Sequence, residues 1–427
     1  MERTATERST LLREGKAISL IAVAHFVSHY YILLLPPVFA LVKDEYGVSY
    51  TGIGLALTAF NIASAAFQTP AGFLVDRIGP RRVLIAGLLL GATAAATIAL
   101  VPGYWVLVAM FAALGFANTT YHPADYAILA ATVSPQRIGK AFSVHTFAGY
   151  LGSGVAPACV LFCTALWGWR GSFLAAAALG VAAALLILVF GRVLNSAVAR
   201  PQAQAKPETA VGWRLLFSAP ILRNLFFFML IALAGGGLTN FSVVALGALH
   251  GTPASVANIA LSCFLLLSAA GVLLGGFIAD RTSRHERVAA FCFAATAVMV
   301  ILIGTTDLNA VLLIAAMSVG GVLNGVIQPS RDMMVRAVTP PGSFGKVFGF
   351  VTTGFNLGGM VSPLLYGWLM DRGEPGLIFI FVAGFILLSL LTVITRPQPT
   401  PRADRGEAEA LRSVNPLDNK TSVSVSR

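Results

Sequence analysis

The residues with most chemistry to offer are few and lie inside apolar runs. Asn118, Thr119, Thr120, Tyr121, His122, Pro123, Ala124, Asp125 and Tyr126 are consecutive. On a helix, His122 and Asp125 are three apart and share a face. An ionisable side chain inside a membrane span is by default a functional candidate. Imidazole titrates near neutrality, and desolvation makes a carboxylate easier to protonate. His122 and Asp125 are therefore candidates for taking up and releasing a proton. The alternative is a hydrogen-bonded knot between helices.

Other candidates follow the same logic. His25 and His29 are four apart on one face, and His145 is a further intramembrane histidine. Asn118, Tyr121, Asn324, Gln328 and Arg331 complete the set expected at a substrate cavity. Arg331 would attract an anionic group there, or pair with its neighbour Asp332. The His-x3-His pair could chelate a transition metal, but the spacing fixes no third ligand. No metal site is assigned, and no cofactor is expected.

The composition dictates what must position these groups. The chain has 427 residues, 57% hydrophobic and 11% charged. A soluble globular chain carries about 25% charged residues. A spanning helix needs about 20 mostly apolar residues. Twelve such runs occur: 17–42, 51–75, 83–102, 104–132, 141–165, 170–192, 221–247, 254–279, 288–306, 308–336, 346–370 and 375–396. The expected fold is all-α and polytopic, with twelve transmembrane helices in two pseudo-symmetric six-helix bundles. The first run exceeds the 7–15 apolar residues of a signal peptide, so it reads as a retained span.

Twelve spans put both termini on one side. With the termini inside, Lys and Arg concentrate on inner segments. Of 29, only Lys43, Arg170 and Arg372 fall in outer loops, and Arg331 within a span. That bias predicts cytoplasmic termini in a bacterial-type inner membrane. It also explains the net charge of +11 without a nucleic-acid partner. The domain reading is a cytoplasmic N-terminus at 1–16, bundles at 17–192 and 221–396, a linker at 193–220, and a disordered tail at 397–427. Trp213, Leu215, Leu216 and Phe217 suggest a short interfacial helix before the second bundle. The four cysteines lie in apolar runs and read as packing residues. No phosphate-binding loop G-x-x-x-x-G-K-[ST] and no nucleophile–base–acid set is present, so enzymatic chemistry lacks support.

The halves repeat. At an offset of 206, Asn118 matches Asn324, Pro123 matches Pro329, Gly152 matches Gly358 and Pro157 matches Pro363. Between the second and third runs lie Gly72, Leu74, Asp76, Arg77, Gly79, Arg81 and Arg82. An echo at Gly276, Asp280, Arg281 and Arg284 follows the eighth run.

These paired loops resemble the signature of the major facilitator superfamily, G-x-L-a-D-R-x-G-R-K, over about residues 17–396. Pro80 shifts the basic cluster by one position, and Ser283 replaces a glycine in the echo. Within the superfamily, the chain looks most like the fosmidomycin-resistance branch. The carrying residues are His25-Phe26, Tyr121-His122-Pro123, and Gly139 to Ser143 with Gly149 to Pro157. That branch often has an acid directly after the His-Pro pair; here Ala124 takes the place and Asp125 follows. The resemblance implies that Gly72, Asp76, Arg77, Gly79, Arg81, Arg82, Gly276, Asp280, Arg281 and Arg284 form a cytoplasmic gate. Asp76 would latch onto the start of the eleventh helix near Gly345, and Asp280 onto the fifth near Gly139. It further implies a secondary-active transporter of a small molecule, working as a monomer by proton-coupled efflux. Proton-coupled uptake of an organic acid or metabolite, transition-metal transport, and a non-transporting sensor or assembly component remain alternatives.

Overall fold

The computed structural model describes residues 5–134, 136–198, 215–279, 281–282, 284–339 and 344–394. The predicted tail and Asp280 lie outside these. Within them the chain makes twelve helical passes. Lipid offers backbone groups no water, so each pass satisfies its own N–H and C=O groups.

Span 1 begins at Ala5–Ile32, earlier than the hydropathy suggests. It continues through a 3-10 turn at Pro36–Val38 into Phe39–Tyr46. Pro36 and Pro37 break the ladder near its outer end. Span 2 is Tyr50–Ile78, span 3 Pro80–Leu100 and span 4 Tyr104–Thr132. One 53-residue helical stretch, Ile138–Phe190, supplies spans 5 and 6. Straight, it would reach about 80 Å, far beyond a hydrocarbon core of about 30 Å. It reverses at Gly168, whose φ of 70° is open to glycine.

Span 7 runs Ala219–Gly236, through a π-helical turn at Gly237–Phe241, into Ser242–His250. Spans 8 to 12 are Ala254–Ala279, His285–Thr305, Ala310–Ala337, Phe344–Asp371 and Pro375–Ile394. The expected interfacial helix is not seen in the described part of its segment. Leu215 to Phe217 form a turn, and Trp213 lies outside the described residues.

The sequence repeat becomes a packing repeat. Gly115 of span 4 lies so close to the Phe60 carbonyl of span 2 that a methyl would collide with it. Gly321 of span 10 meets the Phe264 carbonyl of span 8 in the same way. Asn118 donates to Ser64 Oγ at 3.5 Å, and its repeat mate Asn324 donates to Ser268 Oγ at 3.3 Å. Small residues let these helices approach, and polar side chains then bond across the seam.

The halves meet chiefly along spans 2 and 11 and along spans 5 and 8. On the face remote from the signature loop, the Asp371 carboxylate accepts from Tyr50 N at 2.7 Å and Thr51 N at 2.9 Å. It also accepts from Thr51 Oγ1 at 2.6 Å. These are unsatisfied N–H groups of a helix start, where negative charge is favoured. Thr58 Oγ1 donates to the Met360 carbonyl at 2.9 Å one step deeper, and Asn356 reaches Gln68 at 3.5 Å. The sequence reading missed Asp371, although a lone carboxylate closing a span was its visible signal.

Asp371→Ala should loosen this closure. A cysteine introduced at Asn61 should then react several-fold faster with an impermeant maleimide applied from the Asp371 face. An unchanged rate would show that the carboxylate does not hold the halves together there.

Candidate functional site

Four histidines and one aspartate converge inside the first bundle. Span 1 supplies His25 and His29, span 4 supplies His122 and Asp125, and span 5 supplies His145. His25 Nδ1 donates to the His145 carbonyl at 2.7 Å, and the two rings stack with centroids 3.6 Å apart. His29 Nδ1 lies 3.2 Å from Ser153 Oγ. The rings of His25 and His122 meet edge-on at 5.1 Å.

Asp125 is fully buried, and its Oδ2 lies 3.0 Å from His145 Nε2. The shared face of His122 and Asp125 therefore does not make them partners. The carboxylate turns to His145, and His122 faces the span 1 histidines. His25 Nε2, His122 Nδ1 and Asp125 Oδ1 are buried without a hydrogen-bond partner among the described residues. Unpaired polar atoms are costly in a low-dielectric interior, so three together mark a site prepared for a proton or ligand.

Gly149 makes the cluster possible. A Cβ there would lie 2.6 Å from His25 Cε1 and 3.0 Å from His29 Cδ2. The structure also answers the missing third metal ligand. Nitrogens of His25, His29 and His122 lie within 4.8 Å of one another. No carboxylate or thiol joins this trio among the described residues.

A separate cavity of about 370 Å³ lies between the two bundles. Asn324 and Gln328 line it as expected, joined by Asn61, Asn240, Tyr150 and Phe355. Asn240 and its neighbour Thr239 project from the π-turn of span 7. Such turns are rare and recur at functional sites. The other cavity candidates sit elsewhere. Tyr121 is buried and donates to the Gly87 carbonyl of span 3 at 3.1 Å, a packing role. Asn118 is spent on Ser64. His25, His29 and His145 belong to the adjoining cluster. Arg331 is buried beside the cavity, with Nε 2.9 Å from Asp332 Oδ1 and its guanidinium over the Phe228 and Phe355 rings.

In the first signature loop, Asp76 makes no bond to the other bundle among the described residues; Asp280 of the second loop lies outside them. Asp76, Arg77 and Arg82 are exposed, and Gly79 forms the turn with φ of 93°. Asp76 has no hydrogen bond or ion pair among the described residues. Arg81 bonds within its own bundle, donating to the Ile187 and Leu188 carbonyls at 3.3 and 2.8 Å. Gly72 and Gly276 face open space. Arg281 stacks on Phe277 and Arg284 is exposed.

Two six-helix bundles around a central cavity, each carrying a copy of the signature loop, match a known architecture. A sequence profile of the Major Facilitator Superfamily fits residues 21–252 and again 225–425. The chain belongs to this superfamily. It is an integral membrane protein and a transporter rather than an enzyme. It is 22% identical to the fosmidomycin resistance protein of Escherichia coli (strain K12) over 389 residues, covering 88% of this chain and 91% of that one. It is also 22% identical to a probable L-galactonate transporter of the same strain, covering 85% of each chain. Identity to the probable sulfoacetate transporter SauU of Cupriavidus necator is 24%, covering 83% of this chain and 87% of that one. Among solved structures, a bacterial homolog of the human lysosomal transporter Spinster superposes with a TM-score of 0.72. Its sequence identity is 14%, with coverage of 93% of this chain and 100% of that one. The nucleoside transporter NupG gives 0.72 at 17% identity, covering 90% and 98%.

Gly149→Ala should displace His25 or His29 and destabilise the protein by about 1–3 kcal/mol, the usual cost of overpacking. Thermal unfolding of purified protein checks this. A melting temperature equal to wild type would mean that the histidines yield without cost.

Proposed function

We propose that this transporter exports a small molecule by alternating access, in exchange for protons. One observation carries the reading: Asp371 bonds the start of span 2 at one end of the span 2–span 11 pair, while Asp76 at the other end is exposed and without a bond among the described residues. The basic residues flanking the spans favour a cytoplasmic signature face, with both termini on that side. The conformation is then inward-facing, ready to take cargo from the cell. On closing, Asp76 would reach the start of span 11 as Asp371 reaches the start of span 2 now.

Export is favoured by the apolar, aromatic cavity and by similarity to the fosmidomycin resistance protein. Proton coupling is assigned to Asp125, with His145 as its hydrogen-bonding partner. Asp125 is fully buried, with one oxygen 3.0 Å from His145 Nε2 and the other without a partner among the described residues. A change of solvation between inward and outward states would move a proton on or off. The protein would work as a monomer in the cytoplasmic membrane, because each chain contains both bundles and the cavity.

Proteoliposome flux tests the scheme. Wild-type protein should move cargo against its gradient when an inward proton gradient is imposed, and Asp125→Asn should retain exchange but lose the pH response. A full pH response in Asp125→Asn would remove Asp125 from coupling. A metal cargo, the competing use of the histidine trio, predicts a rise in melting temperature with zinc that His29→Ala abolishes.

A further inference from the structure

The cavity wall is largely apolar, and the polar groups set into it carry no charge. Among the described residues, none that lines it is Asp, Glu, Lys, Arg or His. Its polar groups are carboxamides and hydroxyls, led by Asn61, Asn240, Asn324 and Gln328, set among phenylalanines. Carboxamides donate and accept, so they satisfy neutral hydroxyl, carbonyl and amide groups. An anion entering the same space would lose its hydration without meeting a countercharge, which is a heavy cost.

A cation beside the cavity wall is withheld. Arg331 is buried, its Nε bonds Asp332, and its guanidinium lies 4.9 Å from the Phe228 ring centre and 5.3 Å from that of Phe355. Phe355 is itself part of the cavity wall. The arginine is thus neutralised by its neighbour and covered by an aromatic ring.

We infer that the cavity selects uncharged, partly aromatic or aliphatic compounds bearing hydrogen-bonding groups, and that Asp332 enforces this by masking Arg331. The inference rests on the reading of this cavity as the cargo site. It separates this chain from relatives named for galactonate or sulfoacetate, both of which are anions. With an uncharged cargo, each proton exchanged carries one net charge across the membrane, so transport responds to voltage as well as to pH.

The test measures charge selectivity of the cavity in purified protein, without a gradient, so a failed flux assay does not affect it. In a background with Cys159, Cys163, Cys263 and Cys292 replaced, Asn240→Cys is reacted with methanethiosulfonates of similar size. These carry a neutral hydroxyethyl or an anionic sulfonatoethyl group. Rates are normalised to Thr306→Cys, an exposed loop position. The neutral reagent should react at least tenfold faster than the sulfonate at position 240. Asp332→Asn should raise the sulfonate rate at least fivefold and leave the neutral rate unchanged, which also reports an intact cavity. Adding Arg331→Gln to Asp332→Asn should restore exclusion. A sulfonate rate equal to or above the neutral rate in the Asn240→Cys protein would overturn the selectivity. Sulfonate rates unmoved by Asp332→Asn, or a neutral rate lost with it, would overturn the role given to Asp332.

Discussion

The structure depends on a single constraint: a polar group in hydrocarbon has no water to fall back on. Twelve helices answer it for the backbone. Side chains answer it pairwise, as in the repeat-related bonds of Asn118 to Ser64 and Asn324 to Ser268. Among the buried polar atoms left without a partner, the nitrogens of His25 and His122 and the oxygen of Asp125 are the ionisable groups that cluster. They lie together on two helices of one bundle, spans 1 and 4, where Gly149 of span 5 lets the span 1 histidines approach closely.

The two bundles share a scaffold but divide the chemistry. At the repeat position of His122 to Tyr126, the second bundle has Gln328 to Asp332. The first holds a buried carboxylate against imidazole. The second holds an ion pair whose cation is already neutralised, so it offers the cavity a carboxamide rather than a charge. Under the proposed scheme, coupling and cargo recognition lie on different surfaces, linked through spans 1 and 5. A conformational change that moves one bundle against the other alters the surroundings of both.

Spans 2 and 11 carry an acid at opposite ends. Asp371, at the end of span 11, caps the start of span 2. Asp76 lies at the end of span 2, and the start of span 11 is its counterpart in the family pattern. One helix pair therefore has the means to be latched at either end, using the same attraction of a carboxylate for free N–H groups of a helix start. A closure at one end separates the other, which is the geometric requirement of alternating access.

The sequence by itself determined the class of molecule. Hydropathy located spans 2 to 12 to within a few residues, because about 20 apolar residues are needed whatever they pack against, while span 1 starts twelve residues before its apolar run. The signature loop and its echo identified the superfamily and the two halves. Sequence spacing also named most members of the histidine cluster, since ionisable residues in spans are rare enough to notice. What it could not decide was partnership. The helical face shared by His122 and Asp125 constrains direction within one helix, while the choice of His145 over His122 depends on how span 5 packs against span 4. Tyr121 and Arg331 were lost from the cavity for the same reason: helix rotation aims one at the Gly87 carbonyl and sets the other between two phenylalanine rings. The cavity's amide lining and the Asp371 cap join residues hundreds of positions apart, and only the packing of the two bundles brings them together.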